Sequence, residues 1–160
     1  DARDALNAFL KLRDVVSEID VAAKAYLCGS YRRNKQIVGD ADVVLVFSDA
    51  STNDNALYEI GKRLNQSAGN AKLMCTFEID SIPIDVNLST KALLPYALMH
   101  HTGSVEENVR LRRLAVSKGW SLSQNGLVYK GTKTFVFENA TSEIEVYNAL
   151  GATYREPHHR

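Results

Sequence analysis

The most informative stretch of this 160-residue sequence is Gly29-Ser30-Tyr31-Arg32-Arg33 followed, after six residues, by Asp40-Ala41-Asp42-Val43-Val44-Leu45-Val46. The second motif predicts a buried strand, because its last four residues and the following Phe47 are almost all β-branched or aromatic. Residues two apart on a strand point to the same side, so Asp40 and Asp42 share one face. Their mutual repulsion predicts a positive partner, and a divalent cation such as Mg²⁺ suits two carboxylates.

The first motif has the features of a phosphate-binding turn. It follows an apolar segment, Ala25–Cys28, that predicts a preceding strand. Gly29 lets the backbone approach a ligand closely, and Ser30 is expected to cap a turn whose free N–H groups attract anions. Arg32 and Arg33 follow directly, and a guanidinium can donate two parallel hydrogen bonds to a phosphate. Phosphate donors and metal-binding carboxylates on adjacent strands together predict a nucleoside-triphosphate site.

Each motif alone has an ordinary structural explanation. A Gly-Ser pair is usually a turn, an Asp-x-Asp segment is often a solvated loop, and an Arg-Arg pair is usually an exposed face. Only the combination, in this order along the chain, favours a functional site over these explanations.

A third carboxylate lies in a predicted hairpin. Leu73–Ile79 and Ile82–Leu88 predict two strands joined at Asp80-Ser81. Asp85 lies inside the second strand, where a charge is costly unless it is paired or bound to metal. We therefore predict that Asp85 completes a set of three metal-binding aspartates. The alternative is an exposed aspartate on an edge strand, because Pro83 lacks the N–H that a central strand uses.

The remaining segments predict an α+β protein in two parts, residues 1–90 and 91–160. Apolar spacing and capping signals predict five helices and three further short strands. The helices span 2–18, 54–67 with Gly69 as the stop, 91–99 with an interruption at Pro95, 104–118 after a Ser104–Glu107 capping box, and 142–150 after a Ser142–Glu145 capping box; the strands span 118–122, 124–127 and 134–137 around an Asn125-Gly126 turn.

Composition limits the class of protein. Lys and Arg balance Asp and Glu at 19 each, which alone does not favour a nucleic-acid binder. The two parts differ, because residues 1–90 have a charge balance of −3 and residues 91–160 a balance of +3. An acidic part with metal carboxylates beside a basic part suits metal chemistry on a phosphate backbone.

Cellular location follows from what the sequence lacks. It contains neither a membrane-spanning apolar run nor a signal peptide, so we expect an intracellular protein, with cytoplasm, nucleus and virion not distinguishable. We also expect a monomer. Cys28 and Cys75 fall on predicted strands and are expected to be buried thiols in a reducing compartment. A disulfide between neighbouring strands is the alternative.

These motifs resemble those of the nucleotidyltransferase superfamily, in which Gly-Ser, a short helix and Asp-x-Asp lie on two strands of a small sheet. More narrowly, Gly29–Arg33 followed by Gly39–Val43 is similar to the palm of family X DNA polymerases, the group of DNA polymerase beta. Thr102-Gly103-Ser104, then Asn108 and Arg112 at intervals of four, resembles their helix that closes over the nascent base pair. Thr153–Pro157 resembles their C-terminal signature, so the resemblance extends from about Ala25 to the end.

The resemblance implies a palm followed by a small α+β thumb, and the function of a DNA-directed DNA polymerase that fills gaps during repair. It implies two Mg²⁺ ions, for which Mn²⁺ can substitute, and as partners primer-template or gapped DNA and a dNTP, with no membrane. The implied site residues are catalytic and metal-binding Asp40, Asp42 and Asp85, with Asp85 also the candidate base; nucleotide-binding Gly29, Ser30, Arg33, Gly39, His100, His101, Gly103 and Asn108; and DNA-binding Arg110, Arg112 and Arg113.

The sequence also departs from the family pattern. Larger members carry an N-terminal lyase domain that does not fit before residue 25, so we expect a palm-and-thumb form without lyase activity. His100-His101 replaces an aromatic pair beside the sugar of the incoming nucleotide, which predicts weakened discrimination against ribonucleotides. We expect both histidines on an extended segment, where adjacent side chains point apart.

Two other functions stay open. The first is a template-independent or non-DNA nucleotidyltransferase, which would share the three aspartates. The second is a non-catalytic DNA-binding module, and the complete set of aspartates speaks against it.

Overall fold

The fold is taken from a computed structural model that describes residues 1–160. Its elements, in chain order, are α1 (Ala2–Ile19), β1 (Lys24–Leu27), α2 (Gly29–Arg32), β2 (Ala41–Val46), a 3-10 turn (Ala50–Thr52), α3 (Asn53–Arg63), β3 (Met74–Ile79), β4 (Ile82–Ser89), α4 (Leu94–Thr102), α5 (Val105–Ser117), β5 (Trp120–Ser123), β6 (Gly126–Tyr129), α6 (Glu143–Ala149) and a 3-10 turn (Pro157–His159). The predicted α+β class is confirmed.

A mixed four-stranded sheet forms the centre of the first part. The strand order is β1-β2-β4-β3, with β2 and β4 parallel and the two outer pairs antiparallel. The hairpin between β3 and β4 turns at Asp80 and Ser81, and both have the positive φ that a tight two-residue turn requires.

The edge-strand alternative for Asp85 is wrong. Its strand β4 lies between β2 and β3 and pairs with both. Pro83 is accommodated because the pairing of β2 with β4 begins only at Ile84, one residue later. The missing N–H of the proline therefore costs no ladder hydrogen bond with β2.

Apart from Asp42, strand β2 is apolar because helices cover both of its faces. On one face, α1 and α3 pack on Val43 and Leu45, both fully buried, with Phe77 of β3 in the same core. On the other face, Val44 packs with Cys28 and with Ala97 of α4. A strand covered on both faces has a continuous apolar run rather than alternation.

The second part has its own apolar core. Nine buried side chains form it, and they come from α4, α5, β6, α6 and the residues that flank α6: Tyr96, Met99, Leu111, Ala115, Leu127, Ala140, Val146, Tyr147 and Leu150. Helix α4 joins the two parts, because it contributes Tyr96 and Met99 to this core and Ala97 to the cluster on β2. The division at residues 90 and 91 stays a prediction.

Two helices have different bounds from those predicted. Helix α3 ends at Arg63 rather than 67, because Asn65, two residues after its end, takes the left-handed conformation; Gly69 is also left-handed but lies beyond the helix. Helix α4 begins at Leu94 rather than 91, since Pro95 lies in its first turn, where no N–H is needed. It continues through the two histidines to Thr102, so their expected extended conformation is wrong.

The predicted Asn125-Gly126 turn is displaced by one residue. The loop between β5 and β6 consists of Gln124 and Asn125, while Gly126 is already paired with Ser123. The strand predicted at 134–137 is reduced to a single bridge between Val128 and Phe135.

Both predicted serine caps form, each with one of the two expected hydrogen bonds. The hydroxyl of Ser104 accepts from the N–H of Glu107, and that of Ser142 accepts from the N–H of Glu145. The side chain of Glu107 does not return to the start of α5, because it is bound elsewhere in the second part.

None of the helices has the length and apolar character required to cross a bilayer.

The two cysteines are free thiols, so the disulfide alternative is wrong. Cys28 is 1% exposed, and burial raises the pKa of its thiol to about 12, whereas Cys75 on the edge strand β3 is partly exposed.

Alkylation of the native protein should distinguish the two cysteines. Because the thiolate is the reactive form, Cys75 should react with iodoacetamide in the native protein and Cys28 only after unfolding. Mass spectrometry of the alkylated peptides checks this order, and equal native labelling of the two would contradict the packing.

Candidate active site

The pairing of β2 with β4 brings two of the predicted aspartates together. The parallel register places Asp42 directly opposite Asp85, and in-register residues of neighbouring strands point to the same face. Asp40 immediately precedes β2, two residues before Asp42. The structure thus sets the carboxylates of Asp42 and Asp85 on the face opposite α1, with Asp40 close enough for its charge to act on Asp42.

The environment of Asp42 shows that negative charge accumulates there. Burial and the nearby charges of Asp40 and Asp85 together raise the pKa of Asp42 to about 6, with Arg33 in partial opposition. Arg33 therefore does not offset the effect of burial and of two like charges on this carboxyl.

Gly29 has a steric reason to lack a side chain. Its φ is +60°, and a Cβ at this position would collide with Oδ2 of Asp42. Helix α2 therefore starts beside the carboxylate with its backbone in close approach. The expected cap by Ser30 is wrong, since Cys28 is the N-cap residue and no side chain caps this short helix.

Asp85 is oriented by a residue that the sequence analysis missed. The hydroxyl of Thr76, opposite Asp85 on β3, donates a hydrogen bond to its Oδ1. The hairpin register could have predicted this pair, because a two-residue turn at Asp80 and Ser81 places position 76 opposite position 85.

The two arginines after Ser30 have different surroundings. Nη1 of Arg33 donates to the carbonyl of Thr102, 2.5 Å away, while its Nε is buried without a partner. Arg32 donates both terminal nitrogens to Glu143 of α6, at 2.9 and 2.6 Å, and also bonds the hydroxyl of Thr102. Arg32 is thus a structural link between α2 and α6, while Arg33 keeps a free donor beside the site.

Glu143 is shared with the C-terminus. Nη1 of Arg160, whose side chain is 1% exposed, lies 2.9 Å from its Oε1. Burial alone would raise the pKa of Glu143, but the hydrogen bond of Arg32 and the charges of both arginines hold it below its usual range. No local pattern could have revealed this partner, because Arg32 and Glu143 are 111 residues apart.

The two histidines lie in the last turn of α4, with ring centroids 4.8 Å apart and rings at 85°. Nε2 of His101 is 2.8 Å from Oε1 of Gln124 in the β5–β6 loop. Burial and the neighbouring His100 lower the pKa of His101. His101 is therefore neutral at pH 7, and its ring connects the end of α4 to the β5–β6 loop.

Asn108 and Arg112 share one face of α5, as predicted. The side-chain amide of Asn108 donates to the carbonyl of His100 at 2.9 Å, and Nε of Arg112 donates to the carbonyl of Asn108 at 3.3 Å. All three side chains line one small pocket between α4, α5 and β5. On other faces of α5, Arg113 is exposed, and Arg110 donates its Nε to Glu107 at 2.6 Å.

The three aspartates suit a hard divalent cation in donor chemistry, since they offer only oxygen atoms. The raised pKa of Asp42 also indicates uncompensated negative charge. In the conformation seen here, however, no group of three His, Cys, Asp or Glu side chains is arranged around a single ion position. The aspartates fit a divalent metal in donor chemistry, but their carboxylates do not surround one ion position.

Comparison with known proteins relates both parts of the chain to domains of DNA polymerase beta. The family model of the DNA polymerase beta palm matches residues 3–81, and that of the DNA polymerase beta thumb matches residues 97–160. The "Repair DNA polymerase X" of African swine fever virus (isolate Tick/Malawi/Lil 20-1/1983) is 31% identical over 138 residues, which cover 82% of this chain and 78% of the viral protein. DNA polymerase lambda of Arabidopsis thaliana is 26% identical, over 82% of this chain and 31% of the plant protein.

Solved structures agree in fold. The ternary P/T complex of Leishmania infantum polymerase beta matches with a TM-score of 0.82 at 24% identity, over 99% of this chain and 75% of that one. Its ternary gap complex matches with a TM-score of 0.80 at 22% identity, over 99% and 69%. From the paired aspartates, the palm and thumb matches and the viral relative together, we conclude that this chain belongs to the family X DNA polymerases, in a palm-plus-thumb form.

Proposed function

We propose that this protein adds deoxynucleotides to a primer 3′-hydroxyl under the direction of a DNA template, and that it fills short gaps during repair. The carrying observation is the register that sets Asp42 opposite Asp85, beside Asp40, with the pKa of Asp42 raised to about 6. The name of the viral relative, a repair polymerase, and the primer-template and gap complexes of the structural neighbours support the same substrate.

The three aspartates would hold two Mg²⁺ ions, with Mn²⁺ as an accepted substitute. Ions held by these carboxylates would supply a lowered pKa for the primer hydroxyl and charge stabilisation for the transferred phosphoryl group. Asp85 would accept the hydroxyl proton, and the hydrogen bond from Thr76 orients its carboxylate for that role.

The triphosphate would lie against the start of α2. Gly29 permits close approach of the backbone, while Ser30, Arg33 and the backbone of Gly39 would donate to the β- and γ-phosphates. The unpartnered Nε of Arg33 supports this assignment, because a buried guanidinium nitrogen is expected to have an acceptor.

The nucleoside would lie against α4 and α5. His100, His101 and Gly103 would border its sugar, and Asn108 would contact the base from the minor-groove side. Arg112 would touch the template strand, with Arg113 on the duplex backbone. Arg110 stays in the predicted DNA-binding set, although its Nε is bound to Glu107. We propose that the chain acts as an intracellular monomer.

Primer extension on a duplex with a one-nucleotide gap tests the function. With Mg²⁺ and each deoxynucleotide offered singly, we expect extension only by the templated nucleotide and only on the duplex. Asp85→Asn should lower turnover by several orders of magnitude and leave DNA affinity nearly unchanged, because it removes the base and a metal ligand. Asp80→Asn is the matched control, since Asp80 is an exposed residue of the same hairpin with positive φ, which asparagine tolerates.

Three results would overturn the proposal. Extension of an unpaired primer by any nucleotide would indicate a template-independent transferase. DNA binding without any extension would indicate a non-catalytic module. Full activity of Asp85→Asn would remove the proposed role of this carboxylate.

The raised pKa of Asp42 predicts a pH-dependent effect on stability. A carboxyl whose folded pKa exceeds its unfolded value of 3.8 stabilises the fold below pH 3.8 and loses that contribution as the pH rises through about 6. In EDTA at pH 7.5, Asp42→Asn should therefore melt at a higher temperature than the parent, with a difference that shrinks on acidification. Adding Mg²⁺ should raise the melting temperature of the parent protein, and it should raise that of Asp42→Asn much less. A lower melting temperature for Asp42→Asn in EDTA would contradict the proposed charge repulsion.

Sugar discrimination should be weak in this protein. Histidines occupy the two positions at the end of α4 that border the sugar, and their rings are smaller than the aromatic pair they replace. The double substitution His100→Tyr and His101→Phe should lower the efficiency ratio of ribonucleotide to deoxynucleotide on the order of tenfold. Single-turnover incorporation of a ribonucleotide and of the matching deoxynucleotide on the gapped duplex measures this ratio. A ratio in the parent protein as low as that of a strict DNA polymerase would contradict the prediction.

A further inference from the structure

Glu107 is a buried carboxylate next to the proposed base-contacting residue. It lies in the first turn of α5, directly before Asn108, and its side chain is 2% exposed. A carboxylate in such a position is costly unless all its hydrogen-bonding capacity is used. A position in the first turn of a helix does not by itself account for the burial of the Glu107 carboxylate.

Three donors from different parts of the fold surround this carboxylate. Nε of Arg110 lies 2.6 Å from Oε1, and Nη1 of Arg155 lies 3.3 Å from the same oxygen. The phenol of Tyr147, in α6, donates to Oε2 at 3.1 Å inside the core. Burial alone would raise the pKa of Glu107, but the hydrogen bonds from Arg110 and Tyr147 hold it below its usual range. The carboxylate is therefore ionised at neutral pH.

These contacts limit the rotation of α5 about its axis. Arg110 belongs to α5 itself, whereas Tyr147 belongs to α6 and Arg155 to the C-terminal segment. Tyr147 is itself held, since its ring packs on Tyr154 with centroids 5.3 Å apart and lies under the guanidinium of Arg160. A hydrogen bond to a fixed phenol has a direction, whereas an apolar side chain of similar volume would fill the space without one.

The rotation of α5 in turn sets the position of Asn108. Adjacent residues on a helix are about 100° apart, so Glu107 faces the core while Asn108 faces the pocket with His100. The amide of Asn108 donates to the carbonyl of His100 at 2.9 Å, which a small rotation of α5 would break.

We infer that Glu107 is a positioning residue: through Tyr147 and Arg155 it holds α5 in the rotation that presents Asn108 to the incoming nucleotide, and so it sets discrimination between matched and mismatched nucleotides. This inference rests on the proposed polymerase function. Glu107 itself contacts neither nucleotide nor DNA in this arrangement.

The test compares Glu107→Gln and Tyr147→Phe with Glu106→Gln, a control at the exposed neighbouring position. Glu107→Gln should raise KM for the matched nucleotide about tenfold, the scale of one or two lost buried hydrogen bonds, with kcat changed about threefold or less. KM for a mismatched nucleotide should change less, so the discrimination ratio should fall. Tyr147→Phe should act in the same direction, and the double variant should be less than additive.

A role in stability alone would give a different result. If Glu107→Gln lowers the melting temperature but leaves the discrimination ratio unchanged, in assays well below that temperature, the inference is wrong. Tyr147→Phe keeps the packed ring, so it repeats the test should Glu107→Gln fail to fold.

A second readout does not depend on polymerase activity. In the unliganded protein, solvent exchange of the Asn108 side-chain amide should be faster in Glu107→Gln and unchanged in Glu106→Gln, as measured by NMR. Unchanged exchange in Glu107→Gln would overturn the positioning role. If the parent protein extends no primer, the proposed function fails, while this measurement still decides whether Glu107 positions Asn108.

Discussion

The parallel pairing of β2 with β4 forces two carboxylates to face each other, and the rest of the site is arranged around that repulsion. Asp42 and Asp85 are in register, and Asp40 adds a third charge at the same end of the sheet. The surrounding structure tolerates them rather than neutralising them: Gly29 leaves room for the carboxylate of Asp42, and Thr76 holds that of Asp85. Burial of β2 on both faces fixes the register, because a slip of one residue would place Val43 and Val44 on the wrong faces.

A second constraint is the set of ion pairs that ties the thumb to the palm. Arg32 reaches from α2 to Glu143 in α6, and Arg160 binds the same carboxylate from the C-terminus. Arg160 also covers the ring of Tyr147, whose phenol binds Glu107 at the start of α5. The turn proposed to hold phosphates and the helix proposed to contact the base are therefore joined by one series of buried polar contacts. Buried charges of this kind are costly singly and specific in combination.

Local patterns predicted most elements well, and the errors have identifiable causes. Apolar spacing predicted α1, a capping box and a glycine stop predicted α5, and a continuous β-branched run predicted β2, each within one or two residues. Pro83 suggested an edge strand because the sequence does not show where β2 begins to pair. The two histidines were expected outside a helix because the predicted helix ended at Met99, whereas α4 continues to Thr102. Glu107 was interpreted as half of a capping box because Tyr147 and Arg155 are distant in sequence.

The sequence by itself determined the family and the helix face that carries Asn108 and Arg112, because spacing along one helix places residues without reference to the rest of the chain. It also predicts the three aspartates as the metal-binding set. Only the tertiary structure decided which charges meet. It set Asp42 opposite Asp85 on the neighbouring strand, although the two residues are 43 positions apart in sequence. It also separated Arg32, bound to Glu143, from Arg33, whose Nε is free, and surrounded Glu107 with donors from α6 and the C-terminus. The physical reason is that hydrogen bonds and electrostatic repulsion depend on distances of a few ångströms, and these are set when distant segments pack together.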